Sequence, residues 1–380
     1  MRLAYATTFN SQDVKKWSGT PYYMSQAFSQ QNMEVSHISS LKRKLPPFFK
    51  LKQVCKKYLT GERDSPRFNT VAAAYYSKQV QQHLVDLTAD IILAPQINPI
   101  AYLDCKQPIV LWTDSLYAAL LGFYHAFAYH SPSSVKQGNS ITLECLSRCR
   151  LAIFSSDWAA QSALQFYGTQ REKVKVVPFG ANIKHAPSFT EIRDIVKHRQ
   201  QGIIKLLFLG KDWYRKGGDK VLAVAEALRQ AGQAVELTLV GCYPPKNIAI
   251  PAYVKCLGFI SKRTPEGERK ISQLLRDSHF LFVPSRAEAY GIVFCEANAW
   301  GIPCLTTYVG GISTIVKDNL NGMTFSLDAS AKEYCDYIIN LMQHRIRYEE
   351  MALAAFNEYE TRLNWQVATK TVKKLMKEVI

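Results

Sequence analysis

The chain has 380 residues, 47% of them hydrophobic and 21% charged, which excludes a disordered polymer and is long for a single hydrophobic core. Its net charge is +16, with 21 Lys/Arg against 11 Asp/Glu in residues 1–185, so an anionic partner is expected on the first half. No run approaches the ~18 apolar residues of a spanning helix, the start MRLAYATTFN does not read as a signal peptide, and nine scattered cysteines suit a reducing cytosol better than a disulfide framework.

In chain order, short apolar runs alternate with helical stretches, the pattern of parallel sheets with crossover helices. Strands are expected at 2–6, 34–38, 90–94, 109–112, 152–155 and 174–178, then at 205–209, 236–240, 253–257, 280–283, 303–306 and 323–325. Helices are expected between them, among others at 22–31, 219–231 and 332–343. After the first strand comes KKWSGTPYYMSQAF, where Gly19 and Thr20 precede Pro21 at a helix start. Residues 41–57, LKRKLPPFFKLKQVCKK, contain no acid. They read either as a solvated basic loop or as a segment resting on an anionic membrane surface, with Phe48 and Phe49 dipping in. No nucleic-acid motif accompanies the charge, so nucleic acid is not expected as a partner. In ECLSRC, Cys145 and Cys149 fit one side of a helix, but two thiols do not make a metal site. The polar span 184–202 carries a periodic helix at 191–199 and separates domains expected at 1–185 and 203–360. Two doubly wound α/β domains are expected to face each other across a cleft, because such sheets bind ligands beyond the carboxyl ends of their strands. The last stretch, NWQVATKTVKKLMKEVI, has apolar residues at helical spacing and reads as a packed helix.

Two segments point to chemistry. Residues 284–303, PSRAEAYGIVFCEANAWGIP, follow an apolar strand and carry Glu288 in a loop and Glu296 within an expected helix at 291–300. The amides of Tyr290, Gly291 and Ile292 at that helix start suit an anion. Glu288 reads either as part of the site or as a complement to the helix dipole. Glu296 lies in an apolar run, where an unpartnered carboxylate is costly to bury; it either accepts the two hydroxyls of a ribose or sits on an exposed stripe. In LLFLGKDWYRKGGDK, a strand runs into Gly210, and Arg215 and Lys216 precede a helix. Cations at a helix start are unfavourable for the dipole unless they hold an anion, and a planar fork beside a point charge suits a diphosphate.

Together these segments resemble the retaining glycosyltransferases of family 4 (glycosyltransferase group 1), which have the two-domain GT-B fold of facing Rossmann-like domains. The likeness rests on FLFVPSRAEAYGIVFCEANAWGIPCLTTYVGGISTIVKDNLNGMTF, on LGKDWYRKGG, on SSDWAAQSAL with the later VKVVPFGAN, and on WSGTPYYM, in that family's order along most of the chain. The resemblance implies transfer of a sugar from a nucleoside-diphosphate sugar to an acceptor hydroxyl, with no cofactor and no metal. Arg215 and Lys216 would hold the donor diphosphate, near Gly210 and the amides of Tyr290, Gly291 and Ile292. Glu288 would contact sugar hydroxyls, Glu296 would bind ribose, the stretch LGFISK around Ile260 would frame the base, and Gly19 would approach the phosphate from the first domain. Many members place a histidine after a strand of the first domain; here PIVLWTDSLY puts Asp114 there. Asp114 is the first choice for the polar group beside the reacting sugar, ahead of His125 and His130, or else it caps a helix.

Uridine is expected as the donor base before guanosine, and a saccharide or lipid-linked molecule as acceptor. The resemblance also implies that the C-terminal helix at 361–380 returns to the first domain. A cytoplasmic enzyme, peripheral on the inner membrane face, fits these readings. The alternative is a catalytically silent GT-B partner of a membrane-associated saccharide assembly complex.

Overall fold

The computed structural model describes residues Met1–Ile380, which form two units, each built on a six-stranded parallel sheet. The first unit joins Met1–Phe179 to Trp365–Ile380, and the second is Gly180–Asn364. All twelve expected strands form.

In the first unit they are β1 (Arg2–Ala6), β2 (Glu34–Ile38), β3 (Ile91–Ala94), β4 (Ile109–Thr113), β5 (Cys149–Phe154) and β6 (Val174–Val176), in the order β2-β1-β3-β4-β5-β6. The central IILA and IVLWT are buried along their whole length, while β2 and β6 at the edges are partly exposed. This is why the central runs lack polar alternation: helices cover both faces. The Thr20–Gln30 helix begins with Pro21 in its first turn, and Asn69 caps the Thr70–Val85 helix by accepting from the Ala72 amide at 3.2 Å. Trp112 centres an aromatic cluster with Phe28, Phe179 and Trp365, and its indole N–H donates to the Val177 carbonyl at 3.0 Å. Trp365 opens the Trp365–Lys377 helix, which packs on Thr20–Gln30 and buries Val372 and Met376.

The second unit contains β7 (Ile204–Leu209), β8 (Val235–Val240), β9 (Val254–Cys256), β10 (Phe280–Val283), β11 (Cys304–Thr307) and β12 (Gly322–Phe325), in the order β12-β11-β10-β7-β8-β9. The order reverses between β7 and β10, the position where ligands bind in doubly wound sheets. The polar span expected to separate the domains is instead part of this unit. Its helix, Phe189–His198, starts at a capping box of Ser188 and Glu191 and buries Ile192 and Val196 against Ala352 and Phe356. The divisions therefore fall after Phe179 and after Asn364, not near 185 and 360, because those apolar side chains outweigh the polar composition around them.

The basic segment also differs from its reading as a loop. Residues Phe49–Thr60 form a helix with no buried residue. Phe48 is exposed in a left-handed conformation, whereas Phe49 is half-buried, so the two aromatics do not point outward together.

Candidate active site

In the second unit the site grows from the carboxyl ends of β7 and β10. The β7 strand runs into Gly210, where a Cβ would meet the Lys216 side chain at 3.0 Å, and a loop to Gly217 follows. Gly217 has φ +76°, and a Cβ there would stand 2.2 Å from the Pro284 carbonyl, so only glycine lets this loop close on the end of β10. The Arg286 amide then donates to the Arg215 carbonyl at 2.7 Å, and the Arg286 guanidinium clamps Asp219 at 2.6 and 2.8 Å. That clamp holds the Asp219 carboxyl below its usual range and raises Arg286.

This stitching brings Arg215, Lys216 and Glu288 together. Lys216, 9% exposed, pairs with the Glu288 carboxylate, and Arg215 Nη1 lies 3.5 Å from the same oxygen while donating to the Ala287 carbonyl at 2.9 Å. Arg215 Nε also lies 3.5 Å from Asp212. Glu288 is thus joined to both cations and does not merely complement a helix. Two cations share one half-buried carboxylate, a planar fork beside a point charge that suits a polyanion once it takes the carboxylate's place.

Beyond Glu288 the chain turns at Gly291, with φ +96°; a Cβ there would lie 2.6 Å from the Phe294 ring. The helix that follows, Ile292–Asn298, is seven residues long, shorter than the expected 291–300, so its dipole is a minor contributor beside the two cations. The Phe294 amide donates to the Gly291 carbonyl at 2.9 Å, and the amides of Tyr290, Gly291 and Ile292 stand at this end of the helix. Glu296 is 3% exposed, which overturns the reading of an exposed stripe. Its carboxylate pairs with Lys262, whose ammonium also donates to the Asn182 carbonyl at 3.4 Å. Lys262 stands two residues after Ile260 in the loop that leaves β9, and Lys211 from the β7 loop lies 4.9 Å from the Phe259 ring. The sequence reading missed Lys262. The LGFISK stretch ends on it, but nothing local tells which acid it meets 34 residues later.

In the first unit, Gly19 lies in the segment after β1 and Asp114 directly follows β4, with β3 between those two strands. Trp17, Ser18 and Gly19 hold successive positive φ values of 47°, 55° and 90°, a strained loop of the kind found at ligand sites. The Trp17 indole N–H donates to Asp114 Oδ2 at 3.2 Å, and Ser115 donates to Oδ1 at 2.8 Å. Asp114 does not cap a helix: the Tyr117–Leu120 turn has Leu116 at its cap. His130 bonds the Tyr117 hydroxyl at 2.7 Å, and burial lowers its pKa, while His125 lies in a short turn, His125–Phe127. A recess of about 1020 Å³ on the second unit, lined by His185, Glu191, Arg276 and Trp300, includes none of the residues above.

Two Rossmann-like α/β units in one chain define the GT-B class of glycosyltransferase fold. Residues 203–344 match the family described as Glycosyl transferases group 1. It is 29% identical over 206 residues to a D-inositol 3-phosphate glycosyltransferase of Nocardia farcinica, covering 52% of this chain and 46% of that one. It is 28% identical over 262 residues to the lipopolysaccharide glucosyltransferase WaaG of Escherichia coli, covering 65% and 66%. The structure of Anabaena Alr3699/HepE in complex with UDP and glucose superposes with a TM-score of 0.61 at 18% identity, over 99% of each chain. The chain spans about half the length of the first curated relatives it matches. No helix is long and apolar enough to cross a membrane.

Proposed function

We propose that this protein transfers a hexose from a nucleoside-diphosphate sugar to an acceptor hydroxyl, with retention at the anomeric carbon and without a metal ion or other cofactor. The observation that carries the reading is the cluster of Arg215, Lys216 and Glu288 at the β7–β10 switch point. When the bond between the anomeric carbon and the diphosphate breaks, negative charge grows on the departing phosphate. Two cations already fixed in place stabilise it with little reorganisation. The acceptor oxygen bonds to the anomeric carbon on the face the phosphate leaves, and its proton passes to that phosphate. Glu288 exchanges its cation partners for hydroxyls of the sugar, and Glu296 accepts the ribose hydroxyls. The loop around Ile260 frames the base, and the amides of Tyr290, Gly291 and Ile292 line the phosphate side with Gly210.

Uridine is the proposed base, in keeping with the UDP bound in the HepE complex. The proposed acceptor is a saccharide or lipid-linked molecule, met in the cytoplasm at the inner membrane face, where the basic first unit is at home. The test is a thermal-shift screen of UDP and GDP, followed by release of the nucleoside diphosphate from its glucose and mannose conjugates. A nucleotide at 100 times its dissociation constant stabilises by about 2.7 kcal/mol. Stabilisation by one nucleotide and release of it with an acceptor extract are the expected results. Stabilisation without release under any condition favours a silent assembly partner, and no stabilisation by either nucleotide overturns the reading.

A further inference from the structure

The Phe49–Thr60 helix contributes nothing to the core, yet it is amphipathic and held in one orientation. At 100° per residue, Val54, Tyr58, Leu51, Cys55, Phe48 and Leu59 fall within an arc of about 140°. Five of them are exposed hydrophobics: Phe48 at 75%, Leu51 at 61%, Val54 at 52%, Tyr58 at 86% and Leu59 at 83%. The opposite face looks inward. Phe49, Gln53 and Lys56 are half-buried; Gln53 donates to the Asp64 carbonyl at 2.7 Å, and Lys56 pairs with the Asp64 carboxylate at 3.1 Å. Asp64 is itself bonded by the Ser131 hydroxyl, and the Arg63 amide donates to the Tyr129 carbonyl at 2.8 Å. The apolar stripe is therefore aimed away from the unit by a set of polar contacts behind it.

Charge decides what covers such a stripe. Residues 41–57 carry seven Lys/Arg and no acid. Lys52 borders one margin of the stripe and Lys50 and Lys57 the other, and these three form no ion pair, unlike Lys56 on the inner face. Apolar side chains between rows of unpaired lysines match an anionic lipid surface: acyl chains below, headgroup phosphates at the margins. A helix of about 18 Å is too short to span a bilayer and lies along it. We propose that the Phe49–Thr60 helix is a monotopic anchor that inserts Phe48, Leu51, Val54, Tyr58 and Leu59 into the interface of an anionic bilayer. This deepens the lipid-linked reading of the acceptor but is independent of the donor chemistry.

The test uses the full chain without nucleotide, floated with vesicles of neutral phosphatidylcholine or of that lipid with about 30% phosphatidylglycerol. Binding is expected with the anionic vesicles and is expected to weaken as salt rises. Replacing Lys50, Lys52 and Lys57 together by Gln should lower the partition coefficient roughly 100-fold. Leu51→Ser with Leu59→Ser, which leaves charge untouched, should lower it by roughly 10-fold or more. Both variants lie outside the core, and unchanged circular dichroism and Tm confirm their fold. Equal binding to neutral vesicles, or no binding to either, overturns the proposal. So does concentration-dependent dimerisation abolished by the two serines, which gives the face to a second copy. Because nucleotide stabilisation is measured apart from lipid, failure of the anchor leaves the transferase reading standing.

Discussion

Lys262 pairs with the Glu296 carboxylate and would hold it in place for the ribose proposed to bind there. Replacing Lys262 by Met leaves a buried carboxylate without its cation, which costs more than the pair itself contributes. Lys262→Met is therefore expected to raise the donor KM by roughly 10-fold or more with a small change in kcat, and Lys262→Arg to restore it. A lowered kcat at unchanged KM would instead place Lys262 at the reacting bond. At the other carboxylate the expected split is reversed. On the proposed mechanism Lys216→Ala would remove a charge-assisted contact that strengthens as the diphosphate departs, so kcat should fall roughly 10- to 150-fold while the protein stays folded. Unchanged turnover would remove Lys216 from leaving-group stabilisation. Glu288 and Glu296 were legible from sequence because acids amid apolar residues need partners. Their partners were not legible: the motif offered Lys216 for a diphosphate, not for Glu288, which it meets across 72 residues. Lys262 and Trp17 meet their carboxylates across 34 and 97 residues, distances over which pattern carries no information.

Elements were easier to read than contacts. The strands announce themselves because burial on both faces forces continuous apolar runs, and IILA or FLFV has no other plausible home. The Phe49–Thr60 helix was missed because its apolar stripe faces outward and the preceding Pro46 and Pro47 suggest a loop. The Phe189–His198 helix was seen, but its owner was not: polar composition suggested a linker, while Ile192 and Val196 pack into the second unit. At the β7–β10 switch point the controlling feature is a close approach of two loops. Gly217→Ala would push a methyl group into the Pro284 carbonyl and impose a left-handed conformation on alanine, and should lower stability by about 1–3 kcal/mol. Because the same loop carries Arg215 and Lys216, nucleotide-induced stabilisation should shrink as well. A variant with normal Tm and normal nucleotide response would show that the approach is not required.

Across the second unit, the amino end of β10 behaves differently from its carboxyl end. His279, buried just before β10, accepts from the Lys205 amide at 3.1 Å. Burial, then the Arg199 charge, holds its pKa at about 4 against an ordinary 6.5. The folded protein thus keeps this ring neutral where the unfolded chain protonates it. The contribution is complete above about pH 6.5 and is lost as pH falls toward about 4, up to about 3 kcal/mol. Thermal unfolding between about pH 7 and about pH 4.5 should show this acid sensitivity, and His279→Gln should flatten it; an unchanged slope would assign the sensitivity elsewhere.

The Trp365–Lys377 helix belongs to the unit that the chain begins, not to the one it has just completed. The second unit is in effect an insertion within the first, contiguous and able to close as soon as it leaves the ribosome. The first is translated earliest and sealed latest. Until the segment from Trp365 to Ile380 emerges, Trp112 and Phe179 await Trp365, so the first unit reaches its final form only after the second has been made.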